Sequence, residues 1–190
     1  MNKLFIAENI KSLIKTLPLY KVQIHNGELS IIVKRQHLPL ILLFLKNHTQ
    51  YQFKILTCIS GVDYPSQKHR FKIVYELLSV RYNIRIRVKT LVNELTPIES
   101  SCNIFPASAW YESEIWDMFG VFFANHINLT RLLTDYGFEG YPLRKDFPLT
   151  GFVEASYDYT RKRVVNERVE LSQEYRTFKF TSPWETLKLK

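Results

Sequence analysis

Residues 84–89 read Ile84-Arg85-Ile86-Arg87-Val88-Lys89, apolar and cationic side chains in strict alternation. A period of two puts Ile84, Ile86 and Val88 on one side of a strand and Arg85, Arg87 and Lys89 on the other, so the segment predicts a strand over about 84–91 with one packed and one wetted face. Outward from it, the runs at about 52–60 and 71–79 are further strand candidates. The runs at 20–24 and 29–33 are joined by Asn26-Gly27, a dipeptide suited to a two-residue hairpin turn. Helical spacing frames these strands. Ile6, Ile10, Leu13, Ile14 and Leu17 share a face before Pro18; Leu38 to Leu45, with Pro39 in the first turn, predicts a buried helix over about 38–47; Pro106 to Phe119, closed by Gly120, predicts another. Strands grouped in runs and framed by helices predict an α+β domain over residues 1–138, a mostly antiparallel sheet with packed helices.

Beyond about 139 the texture changes. Pro142, Pro148 and Pro183 interrupt the chain, while Phe147, Leu149, Phe152, Tyr157, Tyr159, Phe178, Phe180 and Trp184 keep it aromatic. A segment too irregular for a core of its own but rich in aromatics predicts an extended arm over 139–190 that lies on another surface. On this reading Arg144 and Asp146 are partly desolvated at an interface, and replacing Arg144 by Ala weakens assembly more than folding.

Bulk composition narrows the classes. The chain has 190 residues, 46% hydrophobic and 14% aromatic, enough for one packed domain with an appendage. Its net charge of +8 calls for an acidic partner without saying which. The Arg81, Arg85, Arg87 and Lys89 group is the nearest thing to a basic patch. Its bland reading, a solvated strand face, outweighs a nucleic-acid stripe because no aromatic side chains interleave with the charges. Cys58 reads as a small buried hydrophobe. Neither it nor Cys102 has a second Cys or a His at ligand spacing, and an iron–sulfur cluster needs four thiolates. No apolar run approaches the roughly 20 residues of a membrane span. The amino-terminal sequence has neither a signal-peptide nor a transit-peptide pattern, which predicts work in the compartment of synthesis. A bias toward residues with AT-rich codons hints at an organelle genome.

The chemistry-bearing residues concentrate in Trp110-Tyr111-Glu112-Ser113-Glu114-Ile115-Trp116-Asp117-Met118-Phe119-Gly120. Glu114 and Asp117, three apart, share a helix face with Glu112 beside them. A general acid/base pair or a metal site is the sharp reading. An acidic face meeting positive side chains, its own or a partner's, is the favoured one, since no His stands at ligand spacing and no nucleophile motif is near. No GxGxxG or GxxxxGK[ST] pattern occurs. His126 reads as a turn or capping residue rather than a proton relay.

Two stretches carry a resemblance. Trp110, Glu112, Glu114, Asp117, Phe119, Gly120, His126, Leu129, Arg131 and Leu132, followed by Thr134-Asp135-Tyr136-Gly137-Phe138 and Pro142-Leu143-Arg144-Lys145-Asp146-Phe147-Pro148-Leu149, resemble the signature of the family of subunit 9 of mitochondrial NADH dehydrogenase, which has bacterial and chloroplast relatives in similar complexes. Arg163-Val164-Val165, Gln173-Glu174-Tyr175-Arg176 and Ser182-Pro183-Trp184-Glu185 are similar to its mitochondrial members. The likeness is close over about 105–185. Ser113 stands where the family usually has Arg, and Ile127 where it usually has Pro. The resemblance implies a core subunit of the peripheral arm of the proton-pumping NADH:ubiquinone oxidoreductase, on the matrix side of the mitochondrial inner membrane and active only as part of that complex. It implies packing against the subunit that forms the quinone pocket and against neighbouring iron–sulfur subunits. It further implies that NADH, FMN, iron–sulfur clusters and ubiquinone are bound by other subunits, with no cofactor, metal or catalytic residue in this chain. Glu112, Glu114, Asp117, Asp135, Tyr136, Arg144, Lys145, Asp146, Phe147 and Trp184 are its candidate partner-contact residues. The basic charge leaves a nucleic-acid-binding domain as the alternative, and a hydrolase using Glu112, Glu114 or Asp117 as a third.

Overall fold

Five strands form the main sheet, in the order β1-β2-β5-β4-β3. The computed structural model describes residues 15–25, 27–178 and 180. The helix predicted before Pro18 lies outside them except for Lys15, Thr16 and Leu17, and Asn26 and Trp184 lie outside them too. β1 (Leu19–His25) and β2 (Glu28–Val33) form the hairpin expected at Asn26-Gly27, with Gly27 at φ +80°. β3 (Ile55–Asp63), β4 (Phe71–Ser79) and β5 (Ile84–Val92) run as an antiparallel meander, and β2 joins β5 in parallel, Leu29 beside Ile86. The sheet is therefore mostly antiparallel, as the alternation predicts, with one parallel seam.

The period of two decides which residues are buried. Ile31 and Val33 of β2, Ile73, Tyr75 and Leu77 of β4, and Ile86, Val88 and Val92 of β5 form one apolar layer. Helix α1 (Leu38–Asn47) adds Leu38, Ile41, Leu42 and Leu45 to the same core, while Leu40 and Leu43 stay exposed. Each such burial is worth about 1.5–3 kcal/mol, so this face explains why an apolar decapeptide folds as a helix here. Helix α2 (Ser108–Phe119) packs on β3 through Ile115 and Phe119. Its approach requires Gly61, because a Cβ there would stand 2.7 Å from the Phe119 ring. Gly120 ends α2 in the left-handed conformation and donates to Trp116 O at 2.9 Å. Of the two tryptophans on α2, Trp116 is half-buried and Trp110 is exposed. A short parallel pair, β6 (Ile98–Glu99) with β7 (Phe123–Ala124), is marked by no periodicity, being only two residues a side.

The first compact unit extends to Phe147, past the predicted boundary at 138. The physical reason is that 139–147 is bound to the unit by buried polar groups described below. The second unit begins at Pro148. It contains a hairpin of β8 (Val153–Asp158) and β9 (Arg163–Arg168), nearly all of it exposed. Asp158 Oδ1 accepts from the backbone of Thr160 and Arg161 in its turn, and Lys162 takes a φ of 52° there. Val153, Ala155 and Tyr157 alternate with Glu154, Ser156 and Asp158, a strand signal that the surrounding prolines obscure in the sequence.

Candidate functional site

α2 presents Glu112 and Asp117 inward, both wholly buried, and each carboxylate organises a loop of this chain. β6 delivers Ser100, Ser101 and Cys102 beside Glu112, and β7, hydrogen-bonded alongside it, delivers His126. Glu112 accepts from Ser100 Oγ at 2.6 Å, Ser101 N at 2.8 Å, Ser101 Oγ at 2.7 Å and Cys102 Sγ at 3.6 Å. Four donors replace the water the carboxylate loses on burial. The Tyr75 phenol, fully buried with no hydrogen-bond partner, is held un-ionised first by burial and then by the nearby Glu112 and Cys102.

Cys102, Glu112 and His126 bring one possible ligand atom each within 4.8 Å of one another. Sequence reasoning missed this convergence because the three come from separate elements. Their hydrogen bonds argue against a metal. His126 Nδ1 accepts from Asn128 N at 3.1 Å, so the proton is on Nε2, which donates to Ala109 O at 3.1 Å and stands 3.9 Å from Glu112. The imidazole is thus committed on both sides, in the turn role expected of it, and the carboxylate is saturated. The arrangement does what a buried hub does: it pins the 100–102 and 125–128 loops to α2.

Asp117 does the same for the next loop. It accepts from the backbone N–H of Leu132 (3.1 Å), Leu133 (2.7 Å) and Thr134 (2.9 Å), from Thr134 Oγ1 (2.6 Å) and from Arg131 (3.3 Å). Burial works to raise its pKa, but the Thr134 hydroxyl and the three N–H groups outweigh burial and hold it below the usual carboxylate range. The loop it anchors lines a groove of about 280 Å³ with Trp110, Ser113, Ile127, Asn128 and Leu132.

A third network fastens 139–147. Asp63, at the end of β3, accepts from Arg70 at 2.8 and 3.0 Å and from Lys145 N at 2.8 Å. Arg70 also pairs with Glu94 and, at 2.9 Å, with Asp146. The Arg70 guanidinium holds both Asp63 and Asp146 below the usual carboxylate range. Arg144 donates from Nε to Phe119 O at 2.7 Å, and its guanidinium stacks 4.5 Å from the Tyr141 ring and 5.2 Å from the Phe71 ring.

The predicted contact residues therefore separate. Glu112 and Asp117 have no surface to offer and are structural. Arg144 is half-buried and engaged in this unit's own packing. Phe147 is half-buried, its ring 5.9 Å from that of Phe138. Glu114 is half-buried, and Asp135, Tyr136, Lys145 and Asp146 are exposed. Asp135 Oδ1 accepts from Tyr136 N at 2.8 Å, and the Tyr136 side chain stands fully in solvent. Sequence reasoning did not find the second halves of these networks, Ser100 to Cys102 and the Asp63, Arg70 and Glu94 set, because nothing in their spacing marks a partner. Both cysteines are free, and Cys58 is half-buried rather than buried.

Residues 31–153 match the family model described as respiratory-chain NADH dehydrogenase, 30 Kd subunit. The chain is 56% identical over 187 residues to NADH-ubiquinone oxidoreductase subunit 9 of Reclinomonas americana, covering 97% of this chain and 92% of that protein. It is 59% identical over 145 residues to NADH dehydrogenase [ubiquinone] iron-sulfur protein 3 of Beta trigyna and to that of Arabidopsis thaliana, 76% of either partner in both cases. Among solved structures, a chain of the membrane-bound sulfane sulfur reductase, an archaeal respiratory membrane complex, superposes with a TM-score of 0.67 at 23% identity, over 90% of this chain and 98% of that one. That last likeness speaks for the fold alone.

Proposed function

Since the chain belongs to the family of the 30 kDa subunit of respiratory-chain NADH dehydrogenase, we propose that it serves as a peripheral, cofactor-free core subunit of the proton-pumping NADH:ubiquinone oxidoreductase, supporting electron transfer from NADH to ubiquinone by the whole complex. The observation that carries this is the 56% identity to subunit 9 across 97% of the chain. These relatives lend no support to the nucleic-acid reading of the basic charge. Its place in the complex is on the matrix side of the mitochondrial inner membrane. No helix among the described residues is long and apolar enough to cross a membrane. The internal commitment of the Cys102, Glu112 and His126 donors favours cofactors carried by other subunits, where NADH, FMN, iron–sulfur clusters and ubiquinone would be bound.

The partner surface falls on exposed side chains that tie no distant segment of this chain in place. Exposed Tyr136 and Asp135, the groove beside Trp110, and the second unit are the candidates. An isolated two-stranded hairpin is marginal in water. On one side of β8–β9, Val153, Ala155, Tyr157 and Val164 lie together with Asn166 and Arg168, and Val153, Tyr157 and Val164 are each more than half exposed. Laid on the quinone-pocket subunit, this side would be covered there. The test is purification of the respiratory complex from the source membranes. The chain should co-purify at one copy per complex, and its loss should abolish NADH:ubiquinone reductase activity while leaving NADH oxidation by an artificial acceptor in the remaining flavin-containing part. A chain absent from the purified, active complex overturns the proposal.

A further inference from the structure

The alternating row Arg85, Arg87 and Lys89 lies on the sheet face turned away from the apolar layer. Across the strands, Lys89 is flanked by Ile32 and Val74, Arg87 by Ser30 and Glu76, Leu91 by Lys72, and Ile32 in turn by Lys21. Five cations share this face with two carboxylates, Glu28 and Glu76, and Arg87 takes both, at 3.3 Å in the case of Glu28. Among the described residues, Lys21, Arg85 and Lys89 have no ion-pair partner, and Lys72 has only the Tyr64 ring at 4.4 Å. Burial first, and then the charges of Arg87 and Lys72, hold the Lys89 ammonium below its usual range. Between the cations lie half-buried Ile32 and Leu91, and Val74 at 9% exposure.

Resting on the assignment to a multisubunit complex, we propose that this sheet face binds an acidic amphipathic helix of a neighbouring subunit, its carboxylates meeting Lys21, Lys72, Arg85 and Lys89 and its apolar side covering Ile32 and Leu91. Charge complementarity selects this occupant: among the described residues, four of the cations have no ion-pair partner, and they frame an apolar strip. A helix laid there turns a two-layer unit into a three-layer one, the usual way both faces of a sheet are buried. Nucleic acid fits less well. Glu28 and Glu76 sit within the cationic field and repel phosphates, and the Tyr64 ring is already beneath Lys72.

The experiment uses the intact complex and the free full-length chain. Lysine acetylation is followed at Lys72 and Lys89 in both, and the complex is treated with a carbodiimide, which joins amines directly to carboxylates in contact with them. The expected result is several-fold slower acetylation of Lys72 and Lys89 in the complex, with carbodiimide products linking them to Asp or Glu of another subunit. A Lys72→Glu/Lys89→Glu variant that melts like the wild type should join the complex at least roughly tenfold less well. Equal acetylation in both forms overturns the inference, as does protection that disappears on nuclease treatment or lipid extraction. Co-purification of the chain is read separately. Its absence sinks the assignment to the complex, whereas co-purification with fully reactive lysines sinks only the docking helix.

Discussion

Replacing Asp117 by Ala removes the acceptor of three backbone N–H groups and one hydroxyl in a single step. A donor left unsatisfied in the interior costs about 1–3 kcal/mol. Leu132 and Leu133 are exposed, so water reaches part of the vacated site, and the low end applies to most of the four donors. The expected loss is about 3–4 kcal/mol, or roughly a 10 °C fall in melting temperature for a unit of this size. Circular dichroism of the full-length chain at neutral pH measures it. The sign of the pH dependence gives a second, independent reading. A carboxylate whose folded-state pKa is depressed contributes stability above its unfolded value and loses it as pH falls through the folded one. The gap between wild type and Asp117→Asn should be complete at neutral pH and close progressively below about 3.8, the value for an unperturbed Asp. A variant melting within about 1 kcal/mol of wild type, or a gap unchanged on acidification, would refute the claim that this carboxylate holds the 131–134 loop.

Gly120→Ala places a Cβ 2.6 Å from the Tyr141 ring on a backbone at φ +73°, so it should cost at least about 1–2 kcal/mol and shift Tyr141 fluorescence or ring resonances; an unchanged melting curve contradicts it. Arg144→Ala, which the sequence alone assigns to assembly, should instead lower the stability of the free chain by about 2 kcal/mol through the lost Phe119 hydrogen bond and the lost stacking, read by denaturant unfolding. Tyr136→Ala should leave that unfolding curve within about 0.5 kcal/mol of wild type while reducing the native-gel yield of assembled complex; normal assembly removes Tyr136 from the contact surface.

Local periodicity makes most of the fold legible. The strand at 71–79 and the helix ending at Gly120 follow directly from which side chains are apolar and where glycine permits a left-handed residue. The α+β architecture follows from their order. What does not follow is anything that depends on two distant segments meeting. The parallel seam between β2 and β5 has no signature in either strand, because strand direction is set by the path of the intervening chain. Glu112 and Asp117 look alike as surface acids on a helix. Only the convergence of the 100–102 and 131–134 loops turns them into buried hubs. Arg144 reads as an interface residue because its flanks, Leu143 and Phe147, are apolar, while nothing in the sequence links it to the Phe71 and Tyr141 rings it stacks on.

The parallel seam has a consequence for how the protein is made. Leu29 leaves the ribosome long before Ile86, the residue it lies beside. The amino-terminal hairpin must wait, its apolar side uncovered and one edge unpaired, until β5 has been synthesised and the meander β3-β4-β5 offers it a place. A nascent chain paused before Val92 would therefore display an open strand edge and an uncovered apolar layer, and it is at that length that holdase chaperones should engage it most strongly. Translation speed across 84–92, rather than any residue of the finished surface, would then set how much of the chain escapes aggregation.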